Sequence, residues 1–115
     1  MSGAEFLPEA GDLIWTHFDP TLRREQAGRR PALAVLPRAF VLNTGFVLVC
    51  PITSRIRPFP TSVVLPDGLP IAGEILLSHL RGIDIQARPI HPVGVAVPPE
   101  TARQVRAKLA ALIAI

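Results

Sequence analysis

The chain of 115 residues has no tyrosine, one cysteine, one lysine and six aromatic side chains in all. Each scarcity excludes something. Cys50 has no second cysteine to pair with, which removes an internal disulfide and most cysteine-based metal sites. No apolar run approaches the ~20 residues that span a bilayer, so no membrane association is expected. The N-terminus carries Glu5 and Glu9 without a basic region or long apolar core, so no secretory signal is read there. A cytoplasmic protein is the expectation. His17, His79 and His91 are scattered without ligand spacing, so neither a metal nor any other cofactor is expected.

What is present is apolar and basic. Hydrophobic residues make up 49% of the chain, enough for a compact interior, and the length suits one domain across residues 1–115, with residues 1–10 read as a flexible N-terminal extension. The net charge is only +3, but it is unevenly spread. Between Thr21 and Pro60 stand Arg23, Arg24, Arg29, Arg30, Arg38, Arg55 and Arg57 against the single acid Glu25, so that this segment carries 7 − 1 = +6 and the remainder is net negative. A guanidinium presents a rigid fork of donors suited to phosphate oxygens. A clustered basic face is also the footprint expected for nucleic acid, and equally that of a solvated basic surface.

Thirteen prolines and eight glycines cut the chain into short pieces, which favours short strands over long helices. Strands are expected at Asp12–Phe18, Ala32–Leu36, Phe46–Cys50, Ser62–Leu65, Glu74–Leu77 and Pro92–Val97, with turns at Thr44-Gly45 and Pro66-Asp67-Gly68. After Pro98-Pro99 the period changes: Ala102, Val105, Leu109, Leu112 and Ile113 form one stripe of a terminal helix with Glu100 near its positive end. The fold class expected is mainly β (α+β), a small, strongly curved β-barrel closed by a C-terminal helix. Between the first two strands lies a polar loop, Arg23-Arg24-Glu25-Gln26-Ala27-Gly28-Arg29-Arg30-Pro31. Pro31 fixes its own φ and biases Arg30 toward an extended backbone, which aims that side chain reproducibly. On these residues alone the loop is an anion-binding loop.

The order of motifs carries a resemblance. Gly11-Asp12-Leu13-Ile14-Trp15, Phe18-Asp19-Pro20-Thr21 and Glu25-Gln26-Ala27-Gly28-Arg29-Arg30-Pro31-Ala32 resemble the opening of the MazF/PemK toxins. Val49-Cys50-Pro51-Ile52-Thr53-Ser54 resembles that family's strand ending in Pro-x-Thr-Ser, and Gly73 with Arg81–Arg88 resembles its later segment. The resemblance implies an SH3-like barrel of the CcdB/PemK type, a homodimer, restrained by a cognate antitoxin and cutting single-stranded RNA without a metal. It implies attack by the 2′-hydroxyl and a cyclic phosphate product. By position Arg30 matches the family's catalytic arginine, Thr53 its catalytic threonine and Glu25 an acid of the same loop. Arg24, Arg29, Gln26, Ser54, Arg55, Arg57 and His79 are expected to hold RNA, and the stretches Arg38–Gly45 and Arg55–Thr61 to set which sequence is cut.

There are departures. Ser78-His79 stands where many relatives have Asp-Gln, and Leu76 and Ser78 occupy the places of an arginine and an aspartate implicated in catalysis in the PemK branch. Arg24 replaces that branch's histidine, and Ile85 replaces a common tryptophan. With so few aromatics, base stacking falls to Phe18 and Phe59. Two other readings therefore stand beside the nuclease: a relative that binds RNA or an antitoxin without cutting, and an inhibitor of DNA gyrase of the CcdB kind. The retained Glu25–Pro31 loop speaks against the second.

Overall fold

The computed structural model describes residues 6–18 and 29–115. Seven strands and two helices succeed one another there: β1 (Asp12–His17), β2 (Arg29–Ala34), α1 (Arg38–Thr44), β3 (Phe46–Thr53), β4 (Ser62–Val64), β5 (Glu74–Leu76), a 3₁₀ turn (Leu77–His79), β6 (Arg81–Asp84), β7 (His91–Ala96) and α2 (Pro99–Leu112). Every pairing is antiparallel, in the order β4-β5-β3-β2-β1-β7, with β6 on β3. The expected mainly-β fold with a C-terminal helix is thus what forms.

β3 bends the sheet. Its first half, Phe46 to Val49, pairs with β6, its last two residues pair with β5, and Val49 to Pro51 pair with β2. Pro51 sits where the strand passes from one set of partners to the other, and with no N–H it leaves the ladder incomplete at that point. Alternation along the strands then fills a core on each face of the sheet. Leu13, Leu33, Cys50, Ile52 and Ile75 share one cluster with Val105 of α2, whereas Ile14, Ala32, Ala34, Val47, Val49 and Ile83 share the other with Val41 of α1. Both helices are therefore lids on a sheet buried from two sides.

Several expectations shift. β2 begins at Arg29, three residues before the expected Ala32, so the two arginines belong to a strand. Arg38–Gly45, expected as a recognition loop, is instead the helix α1, ended by Gly45 at φ 77°. Arg38 serves structure: its backbone N–H donates to Glu9 Oε1 at 2.7 Å and its Nε to the Leu7 carbonyl at 2.8 Å. Residues 6–10, grouped above with the N-terminal extension, are held by those bonds, and Phe6 and Leu7 pack on the second core. β6 was not anticipated. Arg23, Arg24, Glu25 and Gln26 lie outside the described residues.

Candidate active site

The site grows from one register. Ala32, Leu33 and Ala34 face Pro51, Cys50 and Val49, and extending that pairing by two residues sets Arg30 opposite Thr53 where β2 and β3 end. Cross-strand partners share a face, so Arg30 and Thr53 look to the side that carries Ala32 and Val49. Arg81 is the β6 partner of Val49 and joins them. Three strands thereby aim two guanidinium groups and a hydroxyl at one surface. A cleft of about 520 Å³ opens there, lined by Phe18, Arg30, Pro51, Ile52, Thr53, Leu76, His79 and Arg81. None of these is acidic, so among the described residues an anion entering meets only positive or neutral groups.

Thr53 is half-buried, and its Oγ1 accepts the backbone N–H of Arg55 at 3.1 Å. That bond occupies a lone pair and leaves the hydroxyl hydrogen free to donate into the cleft. Behind Thr53 stands Gly73, at φ 151°; a Cβ there would lie 2.4 Å from the Thr53 carbonyl oxygen and 2.9 Å from Ile52 Cγ2. Only glycine lets the two backbones come so close. The Arg81 guanidinium lies 5.1 Å from the centroid of the Phe18 ring, a cation–π contact that orients it without neutralising it. Among the described residues the ion pairs are Arg38–Glu9 and Arg103–Glu100, neither of them in the cleft.

A second branch of about 300 Å³ leaves the first past Thr53, Leu76 and His79, and is lined further on by Arg55, Arg57, Phe59, Thr61, Ser62, Glu74 and Ser78. Phe59 is 66% exposed there, enough for a base to stack on its ring. Glu74 is the acid in this branch, and it is occupied: Oε1 accepts the Arg57 N–H at 2.7 Å and Oε2 the Ser62 hydroxyl. The Ser62 hydroxyl foremost, and the Arg57 N–H after it, hold the Glu74 carboxyl below its usual range.

The structure brings together Arg30, Thr53, Arg55, Arg57 and His79 of the expected site. It separates Arg29, which stacks 4.6 Å over the Trp15 ring beside Pro31, on the opposite side of β2 from Arg30. Ser54 is exposed and lines neither branch. Arg81 was missed; the signal was Ile83, a buried residue two positions on, which marks a short strand with Arg81 in phase. Among the described residues, no three His, Cys, Asp or Glu side chains cluster as metal ligands, and no helix is long and apolar enough to cross a membrane.

Known proteins share this sequence pattern and fold. Residues 9–113 match the family model described as PemK-like, MazF-like toxin of type II toxin-antitoxin system. The endoribonuclease toxin MazF of Escherichia coli K12 is 37% identical over 110 residues, which span 96% of this chain and 97% of that one. MazF from Deinococcus radiodurans (crystal form I) superposes with a TM-score of 0.84 at 37% identity, covering 96% of this chain and 100% of that one. A MazE–MazF crystal structure from the same organism (form II) gives 0.83 at 34% identity, covering 96% and 99%. By fold, by motif order and by extent of match, the chain belongs to the PemK-like, MazF-like toxins of type II toxin–antitoxin systems.

Proposed function

We propose that this protein is the toxin of a toxin–antitoxin pair and a metal-independent endoribonuclease that cuts single-stranded RNA. The observation that carries this is the cleft itself, in which β2, β3 and β6 direct Arg30, Thr53 and Arg81 to one surface that carries no acid among the described residues. The endoribonuclease names of relatives at 37% identity support it. In the reaction the 2′-oxygen attacks the adjacent phosphorus, the bond to the 5′-oxygen breaks, and a 2′,3′-cyclic phosphate and a 5′-hydroxyl end result. Negative charge grows on the phosphate oxygens, where Arg30 and Arg81 stabilise it and Thr53 donates a hydrogen bond. Arg81 supplies from β6 a guanidinium that Leu76 cannot supply from β5. Glu25 takes the 2′-hydroxyl proton, and His79, at the junction of the two branches, hands a proton to the leaving oxygen.

The cognate antitoxin occupies the same positive surface, its carboxylates standing in for phosphates, in keeping with a relative solved as a MazE–MazF complex. The protein works as a homodimer of one-domain chains in the cytoplasm. Purified protein incubated with a long single-stranded RNA and EDTA tests the reading. Discrete cuts, abolished in Arg30→Ala, are the expected result. Intact RNA that is nevertheless retained on a filter would identify a binder that has lost catalysis, a reading favoured by apolar Leu76 in the cleft. Inhibition of supercoiling by gyrase, with RNA untouched, would assign the third activity.

A further inference from the structure

Glu74 is 1% exposed, lies on β5 as the direct partner of Thr53, and has no arginine or lysine paired with its carboxylate among the described residues. Its neighbours Ile75 and Gly73 are buried, so an apolar side chain would suit this position for packing alone. A carboxylate taken out of water is costly unless its oxygens are satisfied. Both are: one partner, Arg57, belongs to the segment that walls the second branch, and the other, Ser62, is the first residue of β4 directly after it. Arg57 N–H reaches Oε1 at 2.7 Å and the Ser62 hydroxyl reaches Oε2.

That segment has little else to hold it. Residues 54–60 pair with no strand, and all of them are exposed. Their other hydrogen bonds are local: Arg55 N–H to Thr53 Oγ1, and the Phe59 carbonyl accepting from Ser62 N–H, each at 3.1 Å. Arg57 N–H to Glu74 is the bond that joins the middle of the segment to the sheet. From the far side Lys108 of α2 donates to the Ser62 carbonyl at 2.8 Å, which fixes the residue that in turn holds Glu74.

We propose that Glu74 is a positioning residue: it pins the Arg55–Thr61 segment so that Arg55, Arg57 and Phe59 hold the nucleotides next to the scissile phosphate, and thereby sets which RNA sequence is cut. This rests on the nuclease reading above. Arg30 and Arg81 line only the first branch and Thr53 stands where the two meet, whereas the segment that Glu74 holds lines the second, so Glu74 acts on binding and selection and not on the bond that breaks.

The test compares Glu74→Met, of similar size but with no acceptor, with Glu74→Gln, whose carbonyl still accepts from Arg57. In the Met variant the Arg57 amide exchanges with solvent about tenfold faster, the loss of one hydrogen bond. KM for a long RNA rises about tenfold, kcat stays near wild type, and base preference beside the cut relaxes. A dinucleotide spanning only the scissile bond is cut as by wild type, and Gln restores the long-RNA behaviour. Should the Met variant not fold, Ser62→Ala removes one of the two contacts and shows the same pattern more weakly. Unchanged Arg57 exchange in a folded variant overturns the proposal. So does an unchanged KM and cutting pattern, or a Gln variant as impaired as Met. Wild-type protein that neither cuts nor binds RNA defeats the nuclease reading instead, and the Arg57 exchange then decides alone whether Glu74 pins the segment.

Discussion

Arg30 and Thr53 approach from strands running in opposite directions and meet at the ends of both, where Arg30 is exposed and Thr53 half-buried yet the backbone is fixed by pairing. That placement makes their contributions separable. Arg30→Ala lowers kcat by about 10²–10³ with little change in fold, the usual loss for one donor aimed at a developing oxyanion. Arg30→Lys restores little, because an ammonium lacks the planar fork. Thr53→Val keeps shape and removes only the hydroxyl, and single-turnover cleavage reports its share. Acid sensitivity is also readable residue by residue. Glu74 titrates below its usual 4.5 in the folded chain because the Ser62 hydroxyl, and then the Arg57 N–H, favour the ionised form. Its stabilising contribution is therefore complete above about that usual value and is lost as pH falls through the lower folded one. Urea unfolding between pH 7 and 3 shows a shallower acid loss in Glu74→Gln than in wild type, the shares of Glu9 and Glu100 remaining. Cys50 behaves oppositely: burial pushes its thiol up to about 12, so disulfide reagents modify it only as fast as the fold opens.

Among the elements, α2 has the clearest duty. Val105 is buried on the first core, with Ala102 and Leu109 partly buried beside it, and Val105→Ala costs about 2 kcal/mol in urea unfolding. This helix was legible because its stripe keeps one period over four turns and Pro98-Pro99 marks its start. The strands from β1 to β5 and β7 were legible from β-branched runs between prolines and glycines. α1 was not. Seven residues long, with no side-chain cap and a single buried residue, Val41, it has no local signal and exists because it covers the second core. β6 escaped for a similar reason: four residues with one buried side chain alternate too briefly to be noticed. That omission hid Arg81. The motif order singled out Arg30 and Thr53 as candidates, but a cleft contact made through register required β6. The face of Arg29 was equally invisible until β2 was seen to begin three residues early.

At the scale of the whole molecule, charge governs the encounter with RNA that the proposed function requires. Four arginines, Arg30, Arg55, Arg57 and Arg81, line the two branches. If each neutralises one phosphate, log affinity falls against log salt with a slope of roughly −3, so a tenfold rise in salt weakens binding by several hundredfold. Fluorescence anisotropy with a labelled single strand measures that slope, and Arg57→Gln makes it shallower by about 0.7. Light scattering of the purified chain gives twice the monomer mass for the proposed dimer. A further consequence belongs to the living cell. Gly73 lines neither branch of the cleft, yet any side chain there collides with the Thr53 carbonyl oxygen and displaces the Thr53 hydroxyl. When cells are selected for surviving expression of this protein without its antitoxin, their escape mutations accumulate at codon 73 as readily as at codons 30 and 53. A map of survivors drawn along the gene would mark as essential a residue with no chemistry of its own.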